Sequence, residues 1–191
     1  MTKISLLSAF IAFSLLFNGC SKEKTNDETT SIDEANSILS SNEIILTALD
    51  KTQYTVLKKP NGFIVKGAEN KVILLDIFAT WCPPCRAEAS HLSSLQKKFK
   101  DSLLVIGVSV EDAIENSKLQ TFRETYNADY VLVNSYENGK IIDAVTTQLN
   151  LGRNFGIPLM ALYKDGKLIN FYQGAVEEEF LAADIKKALG K

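Results

Sequence analysis

The chain has 191 residues, a formal net charge of −2 and 46% hydrophobic residues, with three cysteines and one histidine. This length is enough for one domain with its own core plus a smaller appendage. Three cysteines are too few for a disulfide-rich scaffold, and one histidine cannot supply a multi-histidine metal site. The balance of charges does not favour a nucleic-acid binder. The odd number of cysteines needs an explanation.

The first residues have the pattern of an export signal. Lys3 precedes an apolar run from Ile4 to Phe17, which is shorter than the ~20 residues that span a bilayer. Gly19 and Cys20 end the run, and the pattern resembles a bacterial lipoprotein signal, in which the cysteine is lipidated and becomes the new N-terminus. We therefore expect residues 1–19 to be a signal peptide and Cys20 to carry lipid. The alternative is an uncleaved or secreted chain with a free Cys20 thiol.

The next segment, residues 20–42, is predicted to be a flexible tether. Residues 21–37 contain only two apolar residues, Ile32 and Ala35, which are too few to offset the entropy of ordering the segment. A helix from Ile32 onward is the alternative. Apolar residues crowd the region from Ile38 to Leu49, so we expect this later part to be helical or to pack on the domain. The remainder, residues 43–191, is predicted to be one domain.

Within the domain, apolar runs alternate between the periods of strands and helices. Strands are predicted at Tyr54–Leu57, Phe63–Val65, Val72–Phe78, Leu103–Val110, Tyr130–Val133, Leu159–Tyr163 and Leu168–Tyr172. Helices are predicted at Cys85–Lys100, Ala113–Tyr126, Ile141–Leu149 and Glu177–Leu189. Turn residues indicate an N-terminal hairpin and a second hairpin near the end of the chain. This order predicts one α/β domain with a central mixed sheet flanked by helices.

The segment Thr80-Trp81-Cys82-Pro83-Pro84-Cys85 lies between a predicted buried strand and the helix that follows it. A Trp-Cys-x-x-Cys sequence in this position resembles the thioredoxin superfamily, and in particular its membrane-anchored thiol–disulfide oxidoreductases of the TlpA/ResA/CcmG type. The resemblance extends from about Tyr54 to Leu189 and implies a thioredoxin-like fold. It also implies an inserted helix and strand in the long segment from Ser109 to Gly156.

The spacing of the two cysteines has a chemical reason. Two intervening residues place both sulfurs in the first helical turn, close enough to form a disulfide. Cys82 lies at the helix N-terminus, where free N–H groups and the helix dipole stabilise a thiolate. We expect Cys82 to attack a substrate disulfide and Cys85 to resolve the mixed disulfide. Neither Pro83 nor Pro84 has an N–H for the Cys82 sulfur, which predicts a couple more reducing than that of a strong oxidant.

Two carboxylates are candidate proton acceptors for this pair. Asp76 stands six residues before Cys82, at the offset of the buried acid of thioredoxins, and burial would raise its pKa towards neutrality. Glu88 stands three residues after Cys85, at the offset of a glutamate in the ResA-like members. The alternatives are an exposed strand acid for Asp76 and an ordinary helix-surface acid for Glu88.

The resemblance also places a docking surface for substrate. Ile157 precedes Pro158, and in the family a proline here is cis, faces the cysteines and follows a residue whose backbone binds an extended peptide. Trp81 and the two prolines between the cysteines complete this expected surface. A trans loop proline and a core role for Trp81 are the alternatives. We expect His91 to lie at the surface.

Together these residues predict an exported thiol–disulfide oxidoreductase, held by lipid on the periplasmic or cell-surface side of a membrane. The resemblance implies reduction of protein disulfides, such as those of apocytochrome c during cytochrome c biogenesis, with electrons from a membrane donor of the DsbD/CcdA type. A monomer without cofactor, metal or nucleic acid is expected. The opposite direction, an oxidase or isomerase of secreted proteins, stays open.

Three other uses of cysteine fit the sequence less well. A copper chaperone of the Sco type has three residues between its cysteines and adds a distant histidine, whereas this sequence has two residues between them and no distant histidine. A zinc site needs a second pair of ligands. A peroxiredoxin needs a threonine three residues before its reactive cysteine, where Ala79 stands.

Overall fold

The computed structural model describes residues 42–152 and 154–191. The predicted signal peptide, Cys20 and all of the predicted tether except Asn42 lie outside these residues. In the part of the chain that is described, no helix has the length and apolar character needed to cross a membrane.

The described residues form eight strands and four α-helices. The strands are β1 (Glu43–Thr47), β2 (Gln53–Lys59), β3 (Gly62–Val65), β4 (Val72–Phe78), β5 (Leu103–Ser109), β6 (Val131–Val133), β7 (Leu159–Lys164) and β8 (Lys167–Gln173). The helices are α1 (Pro83–Phe99), α2 (Asn116–Tyr126), α3 (Asn138–Gln148) and α4 (Glu178–Ala188). A 3₁₀ turn at Lys100–Ser102 joins α1 to β5.

Five of the strands form a mixed sheet in the order β6-β5-β4-β7-β8. Strands β4, β5 and β6 are parallel, whereas β7 is antiparallel to both β4 and β8. Strand β4 is buried along its whole length, as expected for a central strand covered on both faces. The sequence Val-Ile-Leu-Leu-Asp-Ile-Phe therefore forms the middle of the sheet because nearly every side chain in it can be buried.

The sheet separates two apolar layers. Leu74 and Phe78 of β4 pack with α1, α2 and α4 on one face. Leu75 and Ile77 pack on the other face with α3 and a three-stranded antiparallel sheet of β1, β2 and β3. The predicted α/β architecture is confirmed, including the N-terminal hairpin of β2 and β3. Helix α2 and strand β6 lie between β5 and α3, where the resemblance implied an inserted helix and strand.

The expectation of a helix in the region before Leu49 is wrong for the described residues. Glu43–Thr47 is strand β1, which pairs antiparallel with β2. Ile44 and Leu46 are fully buried while Ile45 between them is 41% exposed, which is the period of two that a strand produces. The free edge of β2 stabilises this strand, and apolar content alone does not reveal it. The other expectation, that this region packs on the domain, is confirmed.

The remaining predicted elements are present, with ends displaced by a few residues. Helix α1 begins at Pro83, before the predicted start, because Cys82 caps it and proline fits the first helical turn. Helix α2 begins at Asn116 and not at Ala113, whose φ of +49° does not fit a right-handed helix. Helix α3 begins at Asn138, three residues before the predicted Ile141.

Candidate active site

The Cys-Pro-Pro-Cys segment lies where β4 leads into α1. Cys82 is the N-cap residue of α1, and Pro83 and Pro84 occupy the first helical positions, where a missing N–H costs little. Cys82 and Cys85 form a disulfide with their Cα atoms 5.3 Å apart. The backbone N–H of Cys85 donates to Cys82 Sγ at 3.3 Å. Since both prolines lack an N–H, this is the first backbone donor of the helix that the sulfur meets.

The surface beside the disulfide is formed by residues from two distant parts of the chain. The Ile157–Pro158 peptide bond is cis, and the Ile157 carbonyl oxygen lies 3.7 Å from Cys82 Sγ. Trp81 is 60% exposed, so the alternative of a core role for it is wrong. Pro83 and Pro84 are exposed as well, whereas Pro158 is buried. The nearly covered Cys82 sulfur therefore lies next to an exposed aromatic and proline surface.

Asp76 is buried in the centre of the sheet, only 3% exposed. It alternates along β4 with Leu74 and Phe78, so its side chain lies on the face that α1 covers. Burial raises the pKa of Asp76 to about 7, with the hydrogen bond from Tyr130 opposing the shift and the Glu88 carboxylate adding to it. Among the residues that the structure describes, one of its oxygens, Oδ1, has no hydrogen-bond partner. Such a carboxyl group exchanges a proton near neutral pH. Because Asp76 is buried, the alternative of an exposed strand acid is wrong.

Glu88 is also buried, at 1% exposure, so it is not an ordinary helix-surface acid. It lies one turn after Cys85 on the buried side of α1, and its Oε2 accepts a hydrogen bond of 2.9 Å from the Val176 N–H. Burial raises the pKa of Glu88, although the Val176 N–H opposes the shift. His91, one turn further on, is half-buried on the flank of the helix. The site thus holds two carboxylates that burial makes more basic.

Tyr130 is a site residue that the sequence pattern does not reveal. It lies just before β6, is 6% exposed, and donates from its hydroxyl to Asp76 Oδ2 at 3.2 Å. Gly107 of β5, the register partner of Asp76, makes room for this ring. A Cβ atom added at Gly107 would lie 2.9 Å from Tyr130 Cε2 and 2.8 Å from Leu132 Cδ2. A glycine on the neighbouring strand therefore lets a ring from the inserted segment reach the buried acid.

Two charged side chains hold the turn that precedes the cysteines. The backbone N–H and the hydroxyl of Thr80 donate to the Glu111 carboxylate at 2.6 and 3.0 Å. Arg86 Nε donates to the Thr80 carbonyl oxygen at 2.8 Å, and its guanidinium lies 5.3 Å from the centre of the Tyr126 ring. These contacts fix the backbone just before Trp81. The cysteine motif does not single out Glu111 or Arg86, because both act through contacts made only in the folded chain.

Replacing Tyr130 with phenylalanine should raise the pKa of Asp76 above its value of about 7. The reason is that the tyrosine hydroxyl donates to the ionised carboxylate and so favours the charged form. Since a hydrogen bond of this kind contributes ~1 kcal/mol, the shift should be about 0.5–1 pH unit. A pH titration of the Asp76 carboxyl by NMR in the oxidised protein measures it. Tyr126→Phe is the matched control, and an unchanged midpoint in Tyr130→Phe would contradict the prediction.

The arrangement supplies the parts of thiol–disulfide exchange. The helix N-terminus favours a thiolate on Cys82, and Asp76 of β4 and Glu88 of α1 supply two buried carboxylates whose pKa is raised. In residues 42–152 and 154–191, no group of three or more histidine, cysteine, aspartate or glutamate side chains is placed to hold a metal ion.

Residues 50–172 match the model of the AhpC/TSA family, and this stretch is more than half of the chain. The chain belongs to the AhpC/TSA family. Among the curated relatives of this family member, the Thioredoxin-like protein YneN of Bacillus subtilis (strain 168) is 34% identical over 93 residues. That match covers 41% of this chain and 54% of the relative. The chain thus spans about half the length, or less, of the curated relatives that it matches.

Solved structures share the fold of this AhpC/TSA family member. One is a thiol:disulfide interchange protein, a thioredoxin family protein from Chlorobium tepidum TLS, with a TM-score of 0.62 and 19% identity over 78% of this chain and 94% of that one. Another is the pneumococcal exposed lipoprotein thioredoxin from Streptococcus pneumoniae strain TIGR4, with a TM-score of 0.57 and 16% identity over 76% and 98%. These matches confirm the thioredoxin-like fold that the Trp-Cys-x-x-Cys segment indicated.

Proposed function

We propose that this protein is a thiol–disulfide oxidoreductase that reduces disulfides of other proteins outside the cytoplasm. The observation that carries the proposal is the disulfide between Cys82 and Cys85 at the N-terminus of α1. Asp76, with a pKa of about 7, is buried in the neighbouring strand β4. The exposed peptide surface around Ile157 supports a protein substrate. An extended chain docked there would bring its own disulfide to Cys82.

The proposed reaction begins with the reduced pair. The Cys82 thiolate attacks one sulfur of a substrate disulfide, whose S–S bond breaks, and the other substrate sulfur leaves as a thiolate. Asp76 or Glu88 accepts the proton of the Cys85 thiol. The Cys85 thiolate then attacks Cys82 Sγ, releases the second substrate sulfur and closes the disulfide. Two electrons pass to the substrate, so a second thiol donor must reduce the pair again; we assign this to a membrane donor of the DsbD/CcdA type.

The reductive direction rests on the two prolines. They withhold two backbone N–H groups from the Cys82 thiolate, and a less stabilised thiolate makes a more reducing couple. Apocytochrome c is the protein substrate that the resemblance favours. A measured reduction potential close to the ~−120 mV of a DsbA-type oxidant would instead support oxidation of secreted proteins.

For the location, we propose a signal peptide at residues 1–19, lipid on Cys20, a tether at residues 20–42 and a monomeric domain from residue 43. The sequence of the first 20 residues supports it, and one structural neighbour is itself an exposed lipoprotein thioredoxin. The intact mass of membrane-extracted protein tests it. A chain that begins at Cys20 and carries acyl mass is expected, and an unmodified Cys20 would contradict the proposal.

A Cys85→Ser variant should hold its substrate as a mixed disulfide on Cys82. Without the Cys85 thiol, the intermediate has no internal nucleophile to resolve it. The measurement is capture from cells that express the full chain, followed by mass spectrometry of the bound proteins and of the Cys82 peptide. A Cys82→Ser/Cys85→Ser double variant is the control and should capture nothing. Recovery of Cys85→Ser with a free Cys82 and no bound protein would count against the proposed function.

A further inference from the structure

A groove of about 860 Å³ opens beside the disulfide, between the turn after β5 and the start of α3. Two residues of its lining adjoin Cys82. Trp81 precedes Cys82 in the chain, and the Ile157 carbonyl oxygen lies 3.7 Å from Cys82 Sγ. A polypeptide whose cysteine reacts with Cys82 can therefore continue into this groove.

The charge of the groove is negative. Glu111, Asp112 and Asp143 line it, and no lysine or arginine of the described residues does. Lys140 of α3 is outside the lining and is paired with a neighbouring glutamate. Arg153 lies outside the described residues, and counting its charge against the three carboxylates still leaves an excess of negative charge. A low-dielectric cleft lined by one sign of charge concentrates segments of the opposite sign.

Two large aromatic side chains of the same groove are exposed to solvent. Tyr136 is fully exposed and Trp81 is 60% exposed, and both belong to the lining. The face of an aromatic ring attracts an ammonium or guanidinium group within ~6 Å of its centre. The exposed rings and the carboxylates therefore select the same chemistry in a partner.

We propose that this groove binds a cationic stretch of the substrate protein, with lysine or arginine side chains flanking the cysteine that Cys82 attacks. The inference rests on the proposed oxidoreductase function and names its substrate class. Asp112 and Asp143 steer the cationic stretch into the groove, and Tyr136 offers it an aromatic face. Glu111 contributes its charge while it also holds Thr80.

Two peptide disulfides test the proposal with the reduced full chain. The peptides are identical except that lysines in one, and glutamates in the other, flank an internal disulfide, and hydroxyethyl disulfide serves as a neutral reference. At low ionic strength the lysine peptide should be reduced with a kcat/KM about 5–10-fold higher than that of the glutamate peptide, and salt should shrink this ratio. Equal values for the two peptides would overturn the proposal. If none of the three disulfides is reduced, the proposed function itself fails.

Variants of the groove test whether its residues cause the preference for the lysine peptide. The preference is measured as the kcat/KM of the lysine peptide divided by that of the glutamate peptide. Asp112→Asn/Asp143→Asn should lower the ratio to below about 2-fold, because it removes two of the three carboxylates that line the groove. Tyr136→Ser should lower the ratio by a smaller factor. Asp101→Asn/Asp129→Asn, which changes two exposed aspartates outside the lining, is the matched control and should keep the wild-type ratio. A wild-type ratio in the groove double variant would overturn the proposal.

Discussion

Replacing Cys82 with serine should reduce the rate of disulfide reduction to the uncatalysed background. A serine hydroxyl does not ionise near neutral pH, and the thiolate is the nucleophile in this chemistry. The measurement is turnover of a peptide disulfide by the variant with an excess of a thiol donor, corrected for the donor alone.

Cys85→Ser is the matched control, because it removes the other sulfur of the same pair. It should react once with a peptide disulfide and stop at the mixed disulfide, which mass spectrometry detects. Trp81 is exposed and the Ile157 carbonyl oxygen lies 3.7 Å from Cys82 Sγ, so Cys82 adjoins the proposed docking surface. Turnover that persists in Cys82→Ser would show that Cys85 attacks first, contrary to this assignment.

Replacing Asp76 with asparagine should stabilise the oxidised domain above neutral pH relative to the wild type. The folded protein holds the Asp76 carboxyl with a pKa of about 7, against 3.8 for an ordinary aspartate. Between these two values the folded state binds a proton that the unfolded chain has lost, so wild-type stability falls as the pH rises. From about pH 5 to about pH 8 the loss attributable to Asp76 is about 2–3 kcal/mol.

Guanidinium unfolding of the oxidised proteins at the two pH values measures this effect. The Asp76→Asn variant should lack most of the loss, whereas Asp129→Asn, at an exposed position, should keep it. The Asp76→Asn variant should also slow release of the substrate from the mixed disulfide, by ~10²-fold or more if Asp76 is the base for Cys85. Glu88→Gln separates the two candidates, since the base is the residue whose loss changes the pH profile of release. Unchanged profiles in both variants would reject a proton-relay role for either carboxylate.

The sequence predicted the central part of the fold because the signals there are local. Val72–Phe78 is a continuous apolar run, and a capping cysteine followed by two prolines starts the helix after it. The offset of Asp76 from Cys82 matches that of the buried acid of thioredoxins, and Asp76 is indeed buried. Helix ends were less accurate because they depend on single backbone angles, such as the positive φ at Ala113.

The region before Leu49 shows where local signals fail. Ile44 and Leu46 are apolar enough for a helix or a strand, and the choice depends on whether a partner strand is available. The edge of β2 provides that partner, with Ile44 opposite Val56 and Leu46 opposite Tyr54. The strand is therefore a consequence of pairing, which the periodicity of the segment by itself does not contain.

By itself the sequence determined the redox pair, the strand and helix that present it, and the candidate acids at fixed offsets from the cysteines. These features follow from residues that are close along the chain, where spacing fixes geometry. Only the tertiary structure placed Tyr130 on Asp76, 54 residues away, and the Val176 N–H on Glu88, 88 residues away. The acidic groove likewise exists only in the folded chain, because its lining residues come from separate segments. Such contacts depend on how distant segments pack, because a hydrogen bond or a cleft between them exists only when the whole chain has folded.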